Sequence, residues 1–176
     1  MQKLIEVLPV AHCAFIVSEL HGFATEMACH RFGCRIFCRL LEHASAHDGP
    51  AALIDEMLEQ ADVLCRHAFG HFVAQSVCEH GLPRQQKVIA AALCGDLMGH
   101  AKNRHSCYAM ESLLSFCPAE DKQSLMNGFV SAGPEQLAVL AQDASGSIAL
   151  RAALRCRGAA ASQLAQWLAA GSEAPA

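Results

Sequence analysis

The sequence has one tryptophan and one tyrosine, and only 6% of its residues are aromatic. Strand formers are sparse, and no alternation of polar and apolar residues lasts more than a few positions, which argues against a β architecture. No apolar run reaches the ~20 residues that cross a bilayer, so no membrane partner is expected. There is no CxxC pair, no phosphate-cradling glycine loop, no nucleophile elbow and no HExxH. His100 and His105 would make a catalytic pair only beside a carboxylate in a cleft. The expectation is a protein that is not an enzyme, with no cofactor and no small-molecule substrate. Charged residues are few as well, 17%, and their sum is −4 with histidine neutral, which argues against a generally basic nucleic-acid binder.

What is present is apolar. Of 176 residues 53% are hydrophobic, enough for one globular domain with a real core. Ten cysteines occur at irregular spacing. The first fifteen residues, MQKLIEVLPVAHCAF, read as helix and lack the charged, apolar and small-residue regions of a signal peptide. Free thiols and a reducing, cytoplasmic setting are therefore expected.

A period emerges when three stretches are aligned: RFGCRIFCRLLEH (31–43), AFGHFVAQSVCEH (68–80) and RHSCYAMESLLSF (104–116). ASGSIALRAAL (144–154) fits more loosely. Each carries a small anchor residue, Gly33, Gly70, Ser106 or Gly146, at offsets of 37, 36 and 40. The stretches between them also repeat. Those starting at Pro50, Pro83, Pro118 and Pro134 each open with a favoured first helical residue. An apolar helical period follows, as at Leu53, Ile54, Met57, Leu58 and Ala61, and at Val88, Ile89, Ala92 and Leu93. The period predicts units of three helices that bury their faces against neighbours and stack into a solenoid. An ordinary helical bundle with chance similarity is the plainer alternative.

The five positions after each anchor are Cys34-Arg35-x-x-Cys38, His71-Phe72-x-x-Gln75, Cys107-Tyr108-x-x-Glu111 and Ser147-Ile148-x-x-Arg151. Positions one and five lie a turn apart and point the same way. Position two is flat in three units, a guanidinium, a phenyl and a phenol. Position five is polar in three. A core would not place Gln, Glu and Arg at corresponding sites, whereas a surface that reads bases would. Cys34 and Cys38 also admit a metal reading, because His30, Cys34 and Cys38 share a face. A zinc site wants four ligands, usually from two elements, and no second pair is evident. A redox pair would need a thiol of depressed pKa.

FGCRIFCRLLEH, FGHFVAQSVCEHG and SCYAMESLL resemble the middle-helix motifs of the Pumilio (PUF) family of RNA-binding repeat proteins, at that family's spacing and over most of the chain. The resemblance implies an all-α, right-handed α-solenoid with a concave inner surface. It also implies a code of about one base per repeat, read by two or three side chains. The domain then spans 1–170, with a partial repeat at 1–22, repeats at 23–60, 61–94, 95–133 and 134–170, and a tail at 171–176. The order of types resembles the last four of the family's usual eight repeats. MQKLIEVLP resembles the end of the preceding middle helix, so Gln2 becomes a fifth position and the chain starts inside a repeat. No counterpart of the terminal caps is seen, which suggests a fragment or ends that pair with something.

Under that resemblance Glu111 accepts from a guanine edge beside the small Cys107, with Tyr108 stacking. Gln75 with His71 meets uracil, since Gln both donates and accepts, and Phe72 stacks. Cys34 lets adenine approach while Arg35 stacks, and Cys38 stands where the family has Gln, which weakens adenine selection. Ser147 and Arg151 resemble a pair associated with cytosine, but Ile148 cannot stack as a plane. Each residue has a plainer alternative: a solvated Glu111, a surface His71, a degenerate fourth unit. The expected core, 5′ to 3′, is C or any base, G, U, A, with U possible at Gln2.

Charge fits the same picture. Nine of the 13 basic residues lie on or just before middle helices: Arg31, Arg35, Arg39, Arg66, Lys102, Arg104, Arg151, Arg155 and Arg157. Acids gather on the intervening helices, among them Asp55, Glu56, Glu59, Asp62, Glu120 and Asp121. The expected partner is single-stranded mRNA, and the implied role is 3′ untranslated region recognition with recruitment of repressor or decay proteins. The alternative is a protein-binding solenoid with lost or weak RNA affinity, which the net acidity, Cys38 and Ile148 favour.

Overall fold

The structure, a computed structural model, describes Lys3, Ile5 and the chain from residue 14 to residue 172. Gln2 lies outside the described residues. Twelve helices and no strand occur among residues 14–172. They are α1 (Ala14–Leu20), α2 (Ala24–Ala28), α3 (Gly33–Ala44), α4 (Asp48–Leu58), α5 (Ala61–Arg66), α6 (Gly70–His80), α7 (Pro83–Gly95), α8 (Leu97–Lys102), α9 (Ser106–Phe116), α10 (Ala119–Gln142), α11 (Ala144–Arg155) and α12 (Ala159–Ser172). The long α10 is two helices joined at a kink, where Gly133 takes a φ of 81° and Pro134 follows. A left-handed backbone suits glycine, and proline then starts the next helix.

A short helix, a middle helix and an outer helix recur along the chain. Middle helices α3, α6, α9 and α11 pack each against the next, and outer helices α4, α7, α10 and α12 form a second layer behind them. This is an all-α solenoid. One continuous core runs between the layers, with Phe37, Leu40, Leu41, Ile54, Met57, Val73, Val77, Ile89, Met110, Leu113, Leu125, Phe129 and Ala153 essentially sealed from water. Burial of each large apolar side chain contributes about 1.5–3 kcal/mol.

The anchors mark a shared junction between short and middle helices. A Cβ on Gly33 would lie 2.0 Å from the Met27 carbonyl oxygen, on Gly70 2.7 Å from that of Leu64, and on Gly146 2.4 Å from that of Leu140. Ser106 replaces the glycine, and its Oγ donates to the equivalent carbonyl, that of His100, at 2.8 Å. The same four carbonyls also accept backbone amides, from His30, His67, Asn103 and Asp143. The side chains of those four residues then cap the middle helices. His30 Nδ1 accepts from the Phe32 amide at 3.3 Å, and His67 Nδ1 from the Phe69 amide at 3.2 Å. Asn103 Oδ1 accepts from the Ser106 amide at 3.1 Å, and Asp143 Oδ1 from the Gly146 amide at 2.8 Å. Asp143 is itself the N-cap residue of α11, and a cap of that kind contributes on the order of 1 kcal/mol.

Two sequence readings change. Val88 does not join the apolar face of α7, being 41% exposed. The buried stripe there is Gln85, Gln86, Ile89, Ala90 and Leu93. Both glutamines are satisfied: Gln85 Nε2 donates to the Ala51 carbonyl and to Asp55, and Gln86 Nε2 to the Cys78 carbonyl at 2.8 Å. Polar side chains with partners can be buried, and a pattern of hydrophobicity alone misses them. The helix α4 begins at Asp48, two residues before Pro50. No helix of the described residues is long and apolar enough to cross a membrane.

Candidate nucleic-acid interface

The second positions stand on successive middle helices and reach solvent. Phe72 is 52% exposed, Tyr108 is 40% exposed, and Arg35 is exposed too. Ile148 is half-buried at the edge of the core. Large flat groups left in water on successive middle helices are available for stacking. A cavity of about 500 Å³ opens between the first two units, lined by Arg31, Cys34, Arg35, Cys38, Arg39, Phe69 and Phe72. It brings positions one, two and five of one unit together with position two of the next. Arg31 also lies 4.3 Å from the centre of the Phe32 ring.

The fifth positions are less free than the sequence suggests. Cys38, Gln75 and Glu111 are half-buried and Arg151 is exposed. The Cys38 thiol donates to the Phe72 carbonyl at 3.7 Å, bridging two units. Gln75 Nε2 donates to the His71 carbonyl at 3.3 Å, leaving its Oε1 to accept. Glu111 is engaged by Arg155 of the next middle helix, Nη2 to Oε1.

Three of the four first positions are sealed. Cys34 and His71 are each 4% exposed and Cys107 is fully buried, while Ser147 is half-buried. His71 is therefore not a plain surface histidine. Its Nδ1 lies 3.0 Å from the His67 carbonyl, which only accepts, so Nδ1 carries the proton of the neutral ring. The ring packs 4.0 Å from Phe72 and 4.9 Å from His105, centre to centre. Burial pushes its pKa below the ordinary value and the neighbouring His105 pushes the same way, against the hydrogen bond to the His67 carbonyl, which raises it. These first-position side chains form the floor on which the second-position groups rest.

The cysteines behave as structural thiols. Cys34 Sγ donates to the Arg31 carbonyl at 3.6 Å. Burial raises both thiols, and Cys38 is pushed up to about 11, opposite to what a reactive thiol needs. His30, the third member of the face that suggested a metal, spends Nδ1 on capping α3. No cluster of metal-ligating residues occurs among those described. The nine described cysteines are unbridged.

Three basic residues of the expected set are paired with acids. Arg66, on short helix α5, bridges Asp62 at 3.0 Å and Asp96 at 2.8 Å, Arg39 bridges Glu42 at 2.6 Å, and Arg155 bridges Glu111. Sequence reasoning passed over Phe69, which stands in the cavity wall. It named His105 and Arg155, the first only for a catalytic pair and the second only as one basic residue among nine, and missed their places over His71 and on Glu111.

The Pumilio-family RNA binding repeat matches residues 1–21, 24–58, 62–94 and 101–128, more than half of the chain. The chain belongs to the Pumilio family. Among similar curated proteins, the Pumilio domain-containing protein C6G9.14 of Schizosaccharomyces pombe is 27% identical over 130 residues, 72% of this chain and 18% of that protein. Pumilio homolog 12 of Arabidopsis thaliana is 23% identical over 157 residues, 86% of this chain and 25% of that protein. The chain thus spans a quarter or less of these relatives. Among solved structures, PUF-8 in complex with PBE-RNA superposes with a TM-score of 0.85 at 20% identity, covering 97% of this chain and 51% of that one. The Puf3 RNA binding domain bound to a Cox17 RNA 3′ UTR recognition sequence gives 0.82 at 18%, covering 97% and 48%. Proteins of the Pumilio family are RNA-binding and non-enzymatic.

Proposed function

We propose that this Pumilio-family chain binds single-stranded RNA along its row of middle helices, one base per unit. The observation that carries the reading is the run of exposed Arg35, Phe72 and Tyr108 on neighbouring helices, with the cavity between Arg35 and Phe72 as the first slot. A base stacked on such a group contributes about 1–3 kcal/mol. Arginines beside the row supply backbone contacts, and the fifth positions supply selection. With later units meeting earlier bases, the core is C or any base at Ser147, Ile148 and Arg151, then G at Glu111, U at Gln75, and A at Cys34 and Arg35, with U next at Gln2. RNA-bound structures of similar fold, one of them on a 3′ UTR recognition sequence, support this reading. The proposal extends, as the role that family resemblance implies, to post-transcriptional control of messenger RNA in the cytoplasm with repressor or decay proteins as partners.

The test is competition for a labelled oligonucleotide at matched salt, because phosphate contacts make affinity salt-dependent. Oligonucleotides carrying GUA compete better than scrambled ones of the same composition. Equal competition sinks the reading. A second reading, a protein-binding solenoid with weak RNA affinity, draws on the sealed first positions Cys34, His71 and Cys107. It predicts partner capture that survives nuclease treatment.

A further inference from the structure

Glu111 has company in the free chain. Arg155, 44 residues on and one unit away, donates from Nη2 to its Oε1. The arginine is not a feature of the repeat. The same place, nine residues after the anchor, holds Glu42, Glu79 and Ser115 on the other middle helices. Glu42 turns to Arg39 of its own helix at 2.6 Å, and Ser115 Oγ donates to the Glu111 carbonyl. The arginine thus stands against the one acidic fifth-position residue, where the others are Cys38, Gln75 and Arg151. The pair is open to solvent, the Arg155 side chain at 63% and that of Glu111 at 34%, so a base can reach it without unfolding anything.

The chemistry of the pair is directional. A carboxylate offers acceptors and a guanidinium only donors. Side by side they present acceptor, acceptor, donor. The base-pairing edge of guanine presents the complement: the N2 amino donor, the N1–H donor, then the O6 acceptor. Glu111 alone matches the first two groups and leaves O6 without a partner. Adenine sets an acceptor, N1, against the carboxylate. Uracil presents acceptor, donor, acceptor and places at least one oxygen against it. Cytosine, with one donor and two acceptors, is the competitor that fits if the arginine dominates.

We propose that Arg155 is a second specificity-determining residue for the base at Glu111. The two side chains act as one composite edge, Glu111 accepting from N1–H and the N2 amino group while Arg155 donates to O6. The inference rests on the RNA-binding reading above and adds a residue to it.

The experiment measures binding of the full chain to short RNAs that differ only at the base facing Glu111, by fluorescence anisotropy. The wild type prefers guanine. Arg155→Ala lowers guanine affinity about tenfold, the scale of one hydrogen bond to a charged donor, and changes the other three bases far less. Arg155→Lys, which keeps a donor, recovers part of the loss. Inosine, which keeps O6 and lacks the N2 amino group, remains sensitive to Arg155→Ala. 2-Aminopurine, which lacks O6, binds the wild type and Arg155→Ala equally. Equal loss for all four bases makes Arg155 a backbone contact and overturns the proposal. No change, a gain for guanine, or a wild-type preference for cytosine that Arg155→Ala removes overturns it as well. If Glu111→Gln removes the guanine preference and Arg155→Ala does not, this inference alone fails. If the wild type binds all four RNAs equally, this inference fails; if it binds none of them, the RNA-binding reading fails with it.

Discussion

Ser106 Oγ donates to the carbonyl of His100 at 2.8 Å, at the junction where the other three middle helices bring a glycine against the same carbonyl. The contact explains why each anchor is small. At Gly33, Gly70 and Gly146 the carbonyl six residues upstream leaves no room for a Cβ, whereas at Ser106 a small side chain fits and its hydroxyl uses the carbonyl. Gly33→Ala and Gly70→Ala force the short helix away from the middle helix, at a cost of roughly 1–3 kcal/mol. For a chain of this size that lowers the Tm by several degrees. Ser106→Gly costs less, about 0.5–1 kcal/mol, because the His100 carbonyl keeps the amide of Asn103. Thermal melts followed by circular dichroism give the order. Glycine variants as stable as the wild type would refute the junction.

Phe72 and Tyr108 are large, aromatic and half in water. Neither carries the core, so Phe72→Ala and Tyr108→Ala leave the Tm within a degree or two. Each weakens RNA binding by about 1–3 kcal/mol. Titration at fixed salt checks the affinity, and a parallel melt checks the fold. Loss of stability with unchanged affinity would mean that the two rings hold helices together and do not meet bases.

His71 and His100 both have pKa values depressed below the ordinary 6.5, chiefly by burial, with His105 adding to the first and Arg66 to the second. Asp62 Oδ1 lies 3.0 Å from His100 Nε2, yet Arg66 already shares that carboxylate, and burial outweighs its pull. The unfolded chain takes up protons below pH 6.5 that the folded chain refuses. Stability from these two groups is complete above that pH and is lost as pH falls through the depressed values. Melts at pH 7.5 and pH 5 show the slope. His71→Asn flattens it relative to the wild type, and an unchanged slope in that variant removes His71 as a cause.

The layering was legible in the sequence because one feature repeats whole: a small anchor, an apolar stripe, then a proline-led helix. Position two was legible for a related reason, since a flat residue in three corresponding places has no use in a core. The caps were not legible. His30, His67, Asn103 and Asp143 share a task without sharing chemistry, and only the geometry of the junction makes them equivalent. The sealing of Cys34, His71 and Cys107 was hidden too, because it comes from the neighbouring unit: the His105 ring covers His71 from a different helix. Gln85 and Gln86 hid the buried face of α7 by being polar and fully used.

Cys38 sits where the family resemblance calls for glutamine. Its thiol spends its one donor on the Phe72 carbonyl, and with a pKa of about 11 it stays protonated at neutral pH. It therefore offers an adenine edge almost nothing. Cys38→Gln restores a donor and an acceptor in the cavity beside Arg35, and glutamine is a bidentate partner for adenine. The variant is expected to prefer adenine over the other three bases by several-fold more than the wild type does, at the base facing this unit only. The preferences at Gln75 and Glu111 stay as they were. The same oligonucleotide panel, scanned at that base, measures the change. The wild-type thiol, meanwhile, reacts with iodoacetamide at pH 7.5 far more slowly than free cysteine does. Fast labelling would mean that Cys38 is a reactive thiol, and the redox reading of this helix would return.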